Sequence, residues 1–246
     1  MHRYNILVEY VGTPFIGWQI QKKGHSIQKI IQLSLSKLLK QKIKLYGSGR
    51  TDSGVHALGQ SAHFDVKNKI EKIDKLIKSL NFFLNKKMIS IINIKKKNIN
   101  FHARYSAKER SYIYIIQNRF SPSLLNKDRE WHIRKKLDLN LIKKGSKKLI
   151  GKHNFSTFRA SNCNSKSPVR TINDIVITKS KNQIKLKFKS KSFLKNQVRS
   201  MVGCLKFLGE KKWSLKKFED VFKKKDRKKV APPAPACGLY LEKVIY

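Results

Sequence analysis

The sequence is poor in acidic residues and in cysteine. It has 15 aspartate and glutamate residues against 56 lysines and arginines, which gives a formal net charge of +41. The three cysteines, Cys163, Cys204 and Cys237, are far apart and include no Cys-x-x-Cys pair, so they predict neither a zinc site nor a disulfide framework. The sequence also lacks an apolar run of about 18 residues, the length that crosses a membrane, and the apolar core of a signal peptide. We therefore expect a cytoplasmic protein with reduced thiols and no membrane contact.

The excess of positive charge indicates the class of partner. A field of this strength attracts polyanions, and RNA or DNA is the leading candidate. The 56 basic residues include 11 arginines, and the other 45 are lysines. An AT-rich genome also fills a protein surface with lysine, so the charge alone supports nucleic-acid binding without indicating a site. With 246 residues the chain has room for one large domain or two small ones.

The most distinctive stretch is the glycine-rich loop Gly47–Ala57, which lies between two apolar segments. Closely spaced glycines allow positive φ angles and close approach to the backbone. The one acid in the loop is Asp52, two residues after Arg50, and an ionised carboxylate can act as a nucleophile or a base. Three other interpretations remain open here: a hairpin loop in which Asp52 caps its own backbone, a phosphate-binding loop, and a hydrolase that uses Ser53 and His56. The last two lack their usual motifs, a glycine-lysine loop and a nucleophile elbow.

Hydrophobic periodicity predicts an α+β fold in two similar halves, residues 1–105 and 106–246. The first half reads as strand, helix, strand, strand, helix, strand, which is the order of a ferredoxin-like unit. Ser26 can cap the first helix, and residues 42–46 are predicted to form the strand that leads into the glycine-rich loop.

In the second half, the same patterns place a tyrosine and an arginine on regular elements. Tyr112 lies on one face of a predicted strand, and Arg199 lies one residue off the apolar stripe of a predicted helix that includes Leu194. Gly203 is expected to let this helix approach the sheet closely. The polar segment 155–168 is expected to be a mobile loop.

The glycine-rich loop resembles the signature loop of the tRNA pseudouridine synthase A family. Five further segments are similar to motifs of this family and occur in the same order: Phe15-x-Gly17-Trp18-Gln19-x-Gln21, Phe101-His102-Ala103-Arg104, Arg110-Ser111-Tyr112-x-Tyr114, Gln197-Val198-Arg199-x-Met201-Val202-Gly203 and Ala234-Pro235-Ala236-x-Gly238-Leu239-Tyr240-Leu241. Because the six segments run from end to end, the resemblance covers nearly the whole chain.

The resemblance implies an enzyme that isomerises uridine to pseudouridine at positions 38–40 of the tRNA anticodon arm, without a cofactor or a metal. Asp52 matches the nucleophilic aspartate, and Tyr112 matches the tyrosine that stacks on the target base. Arg199 matches the arginine that pairs with the aspartate, and Arg50 matches the loop arginine linked to base flipping. The carboxylate can add to C6 of uracil, attack C1′ or remove a ribose proton, and the sequence leaves these three routes open.

The resemblance also implies a fold and an assembly. The family has two ferredoxin-like halves that form a continuous, mainly antiparallel sheet with a central active-site cleft, and it is homodimeric. The alternative function is that of a basic RNA-binding protein or RNA chaperone that keeps the fold without catalysis. Asp52 in its loop, together with Tyr112 and Arg199, favours the enzyme, because a binding protein has no need for that combination.

Overall fold

The structure is a computed structural model that describes residues 1–246. It contains ten strands and five helices: β1 (His2–Tyr10), α1 (Ile27–Leu38), β2 (Tyr46–Gly47), β3 (His56–Val66), α2 (Ile73–Leu84), β4 (Ile89–Lys97), β5 (Glu109–Asn118), β6 (Trp131–Ile133), α3 (Leu139–Lys147), β7 (Gly151–Asn154), β8 (Val169–Ser180), β9 (Gln183–Ser190), α4 (Gln197–Gly209), α5 (Leu215–Lys223) and β10 (Leu239–Ile245). The predicted α+β class is confirmed, and most strand pairs are antiparallel. No helix combines the length and the apolar character needed to cross a membrane.

The chain divides into two compact units. The first unit contains residues 1–108 together with 240–246, and the second contains residues 109–239. The last strand of the chain therefore clusters with the first unit, although the whole second unit precedes it in sequence.

In the first unit, β1 lies between β3 and β4 and is antiparallel to both. β10 runs parallel to β3 through Tyr240 and Leu241. Alternate residues of β1 are buried, as its period-two pattern predicts. Helix α1 begins where its cap was predicted, because Ser26 Oγ accepts a hydrogen bond from the Lys29 N–H at 3.4 Å.

The predicted strand at 42–46 is wrong in extent, because β2 has only two residues. The backbone before it hydrogen-bonds to side chains of α1 instead of to a neighbouring strand. The Leu45 N–H donates to Gln32 Oε1 at 3.1 Å, and Gln28 Nε2 donates to Leu45 O at 2.7 Å. Leu45 is still buried, so the apolar pattern is satisfied by packing without a strand ladder.

In the second unit, β9 lies between β5 and β8, β7 continues the sheet beyond β8, and β6 runs parallel to β5. Helices α3, α4 and α5 pack against one another. The buried face of β5 carries Tyr112, Tyr114 and Ile116, whereas Ile113 and Ile115 are more exposed, which confirms the predicted alternation.

Two expectations for helix α4 need correction. Helix α4 begins at Gln197 and does not include Leu194, because Asn196 has a φ of 62°, which lies outside the helical region. Gly203 faces the backbone of Pro232 and not the sheet, and a side chain at position 203 would collide with the Pro232 carbonyl.

The segment 155–168 is not mobile throughout, because its first residues belong to the core. Phe155 and Phe158 are buried and pack on Phe222 of α5, with ring centroids 5.5 and 5.4 Å apart. The serines and asparagines of the segment predict a mobile loop, whereas these two phenylalanines hold its first residues in the core.

Candidate active site

Asp52 lies in the loop between β2 and β3, with its side chain partly exposed. Both of its neighbours are hydrogen-bonded to the segment that follows β1. The Trp18 N–H donates to Thr51 O at 3.1 Å, and the Ser53 hydroxyl donates to Phe15 O at 2.9 Å. The backbone of Thr51 and the side chain of Ser53 are therefore held in place, and this restricts the positions open to the Asp52 residue between them.

Gly17 makes this close approach of the two segments possible. Its φ is +107°, and a methyl group at this position would lie 2.6 Å from Thr51 O and 3.2 Å from Ser53 N. Only glycine combines such a φ with contact between two backbones. Tyr10 adds a buried hydrogen bond of 2.7 Å between its Oη and Thr51 Oγ1.

Gln60 of β3 holds the other part of the loop. Its side-chain oxygen accepts a hydrogen bond from the Ser48 hydroxyl at 2.8 Å, and its Nε2 donates to Gly49 O at 3.0 Å. Gln60 is fully buried, so these bonds form away from water. Arg50, which follows this fixed part, is exposed.

The histidines of the first unit have structural contacts. His56 Nδ1 accepts a hydrogen bond from the Gly12 N–H at 3.0 Å, and its ring stacks on Tyr240 with centroids 4.6 Å apart. His63 Nδ1 accepts one from the Ala103 N–H at 3.1 Å. Burial, together with the nearby His102 and Arg3, lowers the pKa of His63 to about 4, so it is neutral near pH 7.

In the second unit, Tyr112 lies on β5 with only 8% of its surface exposed. Its neighbour across the sheet is Phe188 of β9. Phe193, in the turn between β9 and α4, packs edge-on against the Tyr112 ring, with centroids 5.2 Å apart and an interplanar angle of 85°. An edge-to-face contact of this kind fixes the orientation of the tyrosine ring.

Arg199 is bound to the segment before β10 through both its backbone and its side chain. Its carbonyl accepts a hydrogen bond from the Ala234 N–H at 3.0 Å, and its Nε donates to Ala234 O at 2.7 Å. Nη1 also lies 3.5 Å from Asn196 Oδ1, at the upper limit of a hydrogen bond. One short turn, residues 193–196, therefore contacts both Tyr112 and Arg199.

Pro235 and Gly238 of the last motif contact Tyr114 of β5. The buried Tyr114 hydroxyl donates to Pro235 O at 2.8 Å, and a side chain at Gly238 would overlap the Tyr114 ring. Burial raises the pKa of Tyr114 well above its usual range, with a smaller contribution from Cys237, so the hydroxyl stays protonated as a donor.

The sequence predicts Asp52, Arg50, Tyr112 and Arg199 as site residues, but it does not indicate several residues that hold them in the structure. No local pattern marks Gln60, Phe193 or Asn196, and the period-two pattern of β1 predicts only that Tyr10 is buried. Gln60 reads as an ordinary strand residue, and Phe193 stands among lysines and serines.

Comparison with known proteins shows the family of the chain. The family model described as tRNA pseudouridine synthase matches residues 6–106 and 146–246. The chain is 62% identical to tRNA pseudouridine synthase A of Pelagibacter ubique (strain HTCC1062) over 246 residues, which is the full length of both proteins. The chain belongs to the tRNA pseudouridine synthase family.

Two other curated members of the family also align over the full chain. Both are named tRNA pseudouridine synthase A. The protein of Paramagnetospirillum magneticum is 43% identical over 246 residues and 96% of its own length, and that of Parvibaculum lavamentivorans is 39% identical over 100% of its length. Asp52 and Arg199 lie within the two ranges that the family model matches. Tyr112 lies between these ranges, within the full-length alignments to the relatives.

Proposed function

We propose that this chain isomerises uridine to pseudouridine at positions 38–40 of the tRNA anticodon stem-loop, with Asp52 as the nucleophile. The observation that carries the proposal is the full-length similarity to tRNA pseudouridine synthase A proteins, together with an aspartate held in a clamped glycine-rich loop. The net charge of +41 favours the phosphate contacts that a folded tRNA offers.

The reaction requires no net oxidation and no second substrate. The bond between N1 and C1′ breaks, a bond between C5 and C1′ forms, the hydrogen on C5 leaves to water and N1 gains a proton. A carboxylate held in a fixed position supports such a rearrangement, because it reaches the reacting base without reorganisation.

We assign substrate-binding roles to Tyr112, Arg50 and Arg199. An aromatic ring of fixed orientation, as in Tyr112, can stack on a base that has left the helix, an extrusion that costs a few kcal/mol. Arg50 is exposed and lies two residues before Asp52. It can contact the RNA strand from which the target base has been extruded. Arg199 keeps its Nε on Ala234 and has further donors in its guanidinium for an anionic group.

The test is tritium release from an unmodified tRNA transcript labelled at uridine C5. Wild-type protein should release the label, because isomerisation expels the hydrogen on C5. Asp52→Ala and Asp52→Asn should release none, while their Kd for tRNA stays within a few fold of wild type. Asp74→Ala, which removes an exposed carboxylate from α2 of the same unit, is the matched control and should behave as wild type.

Release by Asp52→Ala would refute the assignment of the nucleophile. If no protein released the label although all bound tRNA tightly, the alternative of an RNA-binding protein without catalysis would replace the enzyme. Sequencing of the product after chemical marking of pseudouridine would identify the modified position among residues 38–40.

We also propose that the protein acts as a homodimer in the cytoplasm. The support is the resemblance to its family for the dimer, and the location of tRNA for the compartment. Light scattering on the purified protein should give about twice the 28.6 kDa of one chain, and a monomer mass would refute the dimer.

A further inference from the structure

A group of side chains on the first unit has no role in the proposed reaction, and its outer members do not belong to the core. It consists of Tyr46, His63, His102, Arg104 and Tyr105, and we name it the Tyr46–Tyr105 cluster. The Tyr46 and His63 rings stack with centroids 5.0 Å apart and an interplanar angle of 17°. His102 lies 4.6 Å from His63 and 4.4 Å from Tyr105 by ring centroids, and the Arg104 guanidinium lies 5.6 Å from the Tyr105 ring.

The outer rings of the cluster are open to solvent. Tyr105 is 74% exposed and Tyr46 is 43% exposed, whereas His63 beneath them is buried. Tyrosine rings of this exposure stabilise the fold little, because most of their apolar surface stays in water. The surface is therefore available to a ligand with a flat face.

Hydrogen bonds hold the segment that carries the cluster, although its outer rings are exposed. The His63 ring accepts the Ala103 N–H, and His102 Nδ1 accepts the Arg104 N–H at 3.1 Å. The His102 N–H in turn donates to Ser106 Oγ at 2.9 Å. The loop that carries Tyr105 is thus ordered before any ligand binds, which lowers the entropic cost of binding.

Positive charge surrounds these rings. In the register of the sheet, Asn5 is paired with both His63 and Lys95, so Lys95 lies on the same face as His63. Lys97 is on that face as well, with its Nζ 5.4 Å from the Phe101 ring. Asp65, two residues beyond His63, is bound to Arg3 at 2.7 Å, and its charge is compensated.

We propose that the Tyr46–Tyr105 cluster stacks an unpaired base of the tRNA. Stacking on aromatic rings and on arginine is the usual way in which proteins hold unpaired nucleotides, and it tolerates any base. The neighbouring lysines and Arg104 are suited to the phosphates on either side. The inference rests on the proposed function, because it takes tRNA as the ligand.

The stacked base is not the base that is isomerised. His56 ends the loop that carries Asp52, and His63 lies seven residues further along the same strand. At the rise of a β-strand this is ~23 Å. Asp52 lies at the His56 end, because its carbonyl accepts the Val55 N–H at 3.2 Å and Thr51 is bonded to Tyr10, which pairs with Ala57, whereas Tyr46 pairs with His63 at the other end. The two positions therefore take different nucleotides of one RNA. The cluster therefore adds affinity and register without contacting the reacting uridine.

The test compares Tyr105→Ala with Tyr105→Trp in the full-length protein. The probe is an unmodified tRNA transcript, with Kd from filter binding and the rate of tritium release at saturating tRNA. Phe82→Ala is the matched control, because Phe82 is a 69% exposed aromatic residue of the same unit beside Lys86. Tyr105 is exposed enough that its removal should leave the fold intact, which circular dichroism checks.

Loss of one base-stacking contact should raise the Kd of Tyr105→Ala about tenfold. The rate at saturating tRNA should stay as in wild type, Tyr105→Trp should restore binding, and Phe82→Ala should bind normally. In wild type, a transcript containing 4-thiouridine should cross-link to the peptide that contains Tyr105.

The proposal is overturned if Tyr105→Ala binds tRNA as wild type does, or if Phe82→Ala loses the same affinity. A changed oligomeric mass of Tyr105→Ala with unchanged RNA affinity would assign the surface to protein contact instead. The two proposals can fail separately. If wild type released no tritium while Tyr105→Ala still lost RNA affinity, the enzyme would be refuted and the stacking site would be supported.

Discussion

Gly17→Ala should disable the enzyme without preventing the fold. Two effects act at this position. An alanine with a φ of +107° is strained, which costs about 1–3 kcal/mol. In addition, its methyl group would lie 2.6 Å from Thr51 O, whereas ordinary contact begins at 3.4 Å, so one of the two backbones must move by about 0.8 Å.

Either movement changes the contact between Gly17 and Thr51, the residue that precedes Asp52. A misplacement of about 1 Å can lower a rate about 100-fold, so kcat for tritium release should fall by roughly that factor. The Kd for tRNA should change little, because the phosphate contacts are spread over the surface. Single-turnover release at saturating tRNA measures kcat, and filter binding measures Kd.

Gly24→Ala separates the two effects. Gly24 also has a positive φ, of +86°, but a methyl group there meets only the flexible side chain of Ile16. This variant should lose similar stability and keep its kcat. A Gly17→Ala protein with a wild-type kcat, or a Gly24→Ala protein as inactive as Gly17→Ala, would refute the reasoning that the segment after β1 positions the loop.

Three further predictions concern stability and binding. Tyr114→Phe removes the hydrogen bond to the Pro235 carbonyl and should lower the free energy of unfolding by about 0.5–1.5 kcal/mol in calorimetry; an unchanged value would mean that the bond contributes nothing. Because the pKa of His63 is about 4 in the fold and near 6.5 when unfolded, the unfolded chain binds the extra proton between these values. The free energy of unfolding should therefore fall by up to about 3 kcal/mol as the pH drops from 7 to 4, and His63→Gln should reduce this slope in urea titrations. The Kd for tRNA should rise steeply with salt, by about 10³-fold or more between 50 and 200 mM for six or more phosphate contacts. A flat salt response would mean that the lysines reflect composition rather than binding.

Local signals were sufficient for most of the helices and strands. Ser26 before an apolar repeat fixes the start of α1, and strict alternation identifies β9, because both patterns depend only on neighbours in sequence. The short β2 could not be foreseen, since the backbone of Leu45 is bound by glutamines of α1 and not by a strand. Whether the Leu45 backbone bonds to a strand or to side chains of a helix depends on tertiary packing, which the local sequence does not show.

For the candidate site, the sequence indicated the residues but not what holds them. Asp52 stands out because it is the one acid in a glycine-rich loop. The need for Gly17 follows only from the structure, where it touches a residue more than thirty positions away. Phe193 likewise has no sequence signal, because its partner Tyr112 lies on a strand about eighty residues earlier in the chain.

The interrupted first unit has a consequence for synthesis. Residues 109–239 separate the two parts of this unit, and β10 covers the edge of β3 at His56 and Ala57. At about 5–20 residues per second, a ribosome needs ~7–26 s to make those 131 residues. During this time the second unit can be completed, whereas the edge of β3 beside the Asp52 loop stays unpaired until β10 is made. Translation that stops before Tyr240 would release chains with a finished second unit and an open strand edge, the kind of surface that chaperones and proteases act on.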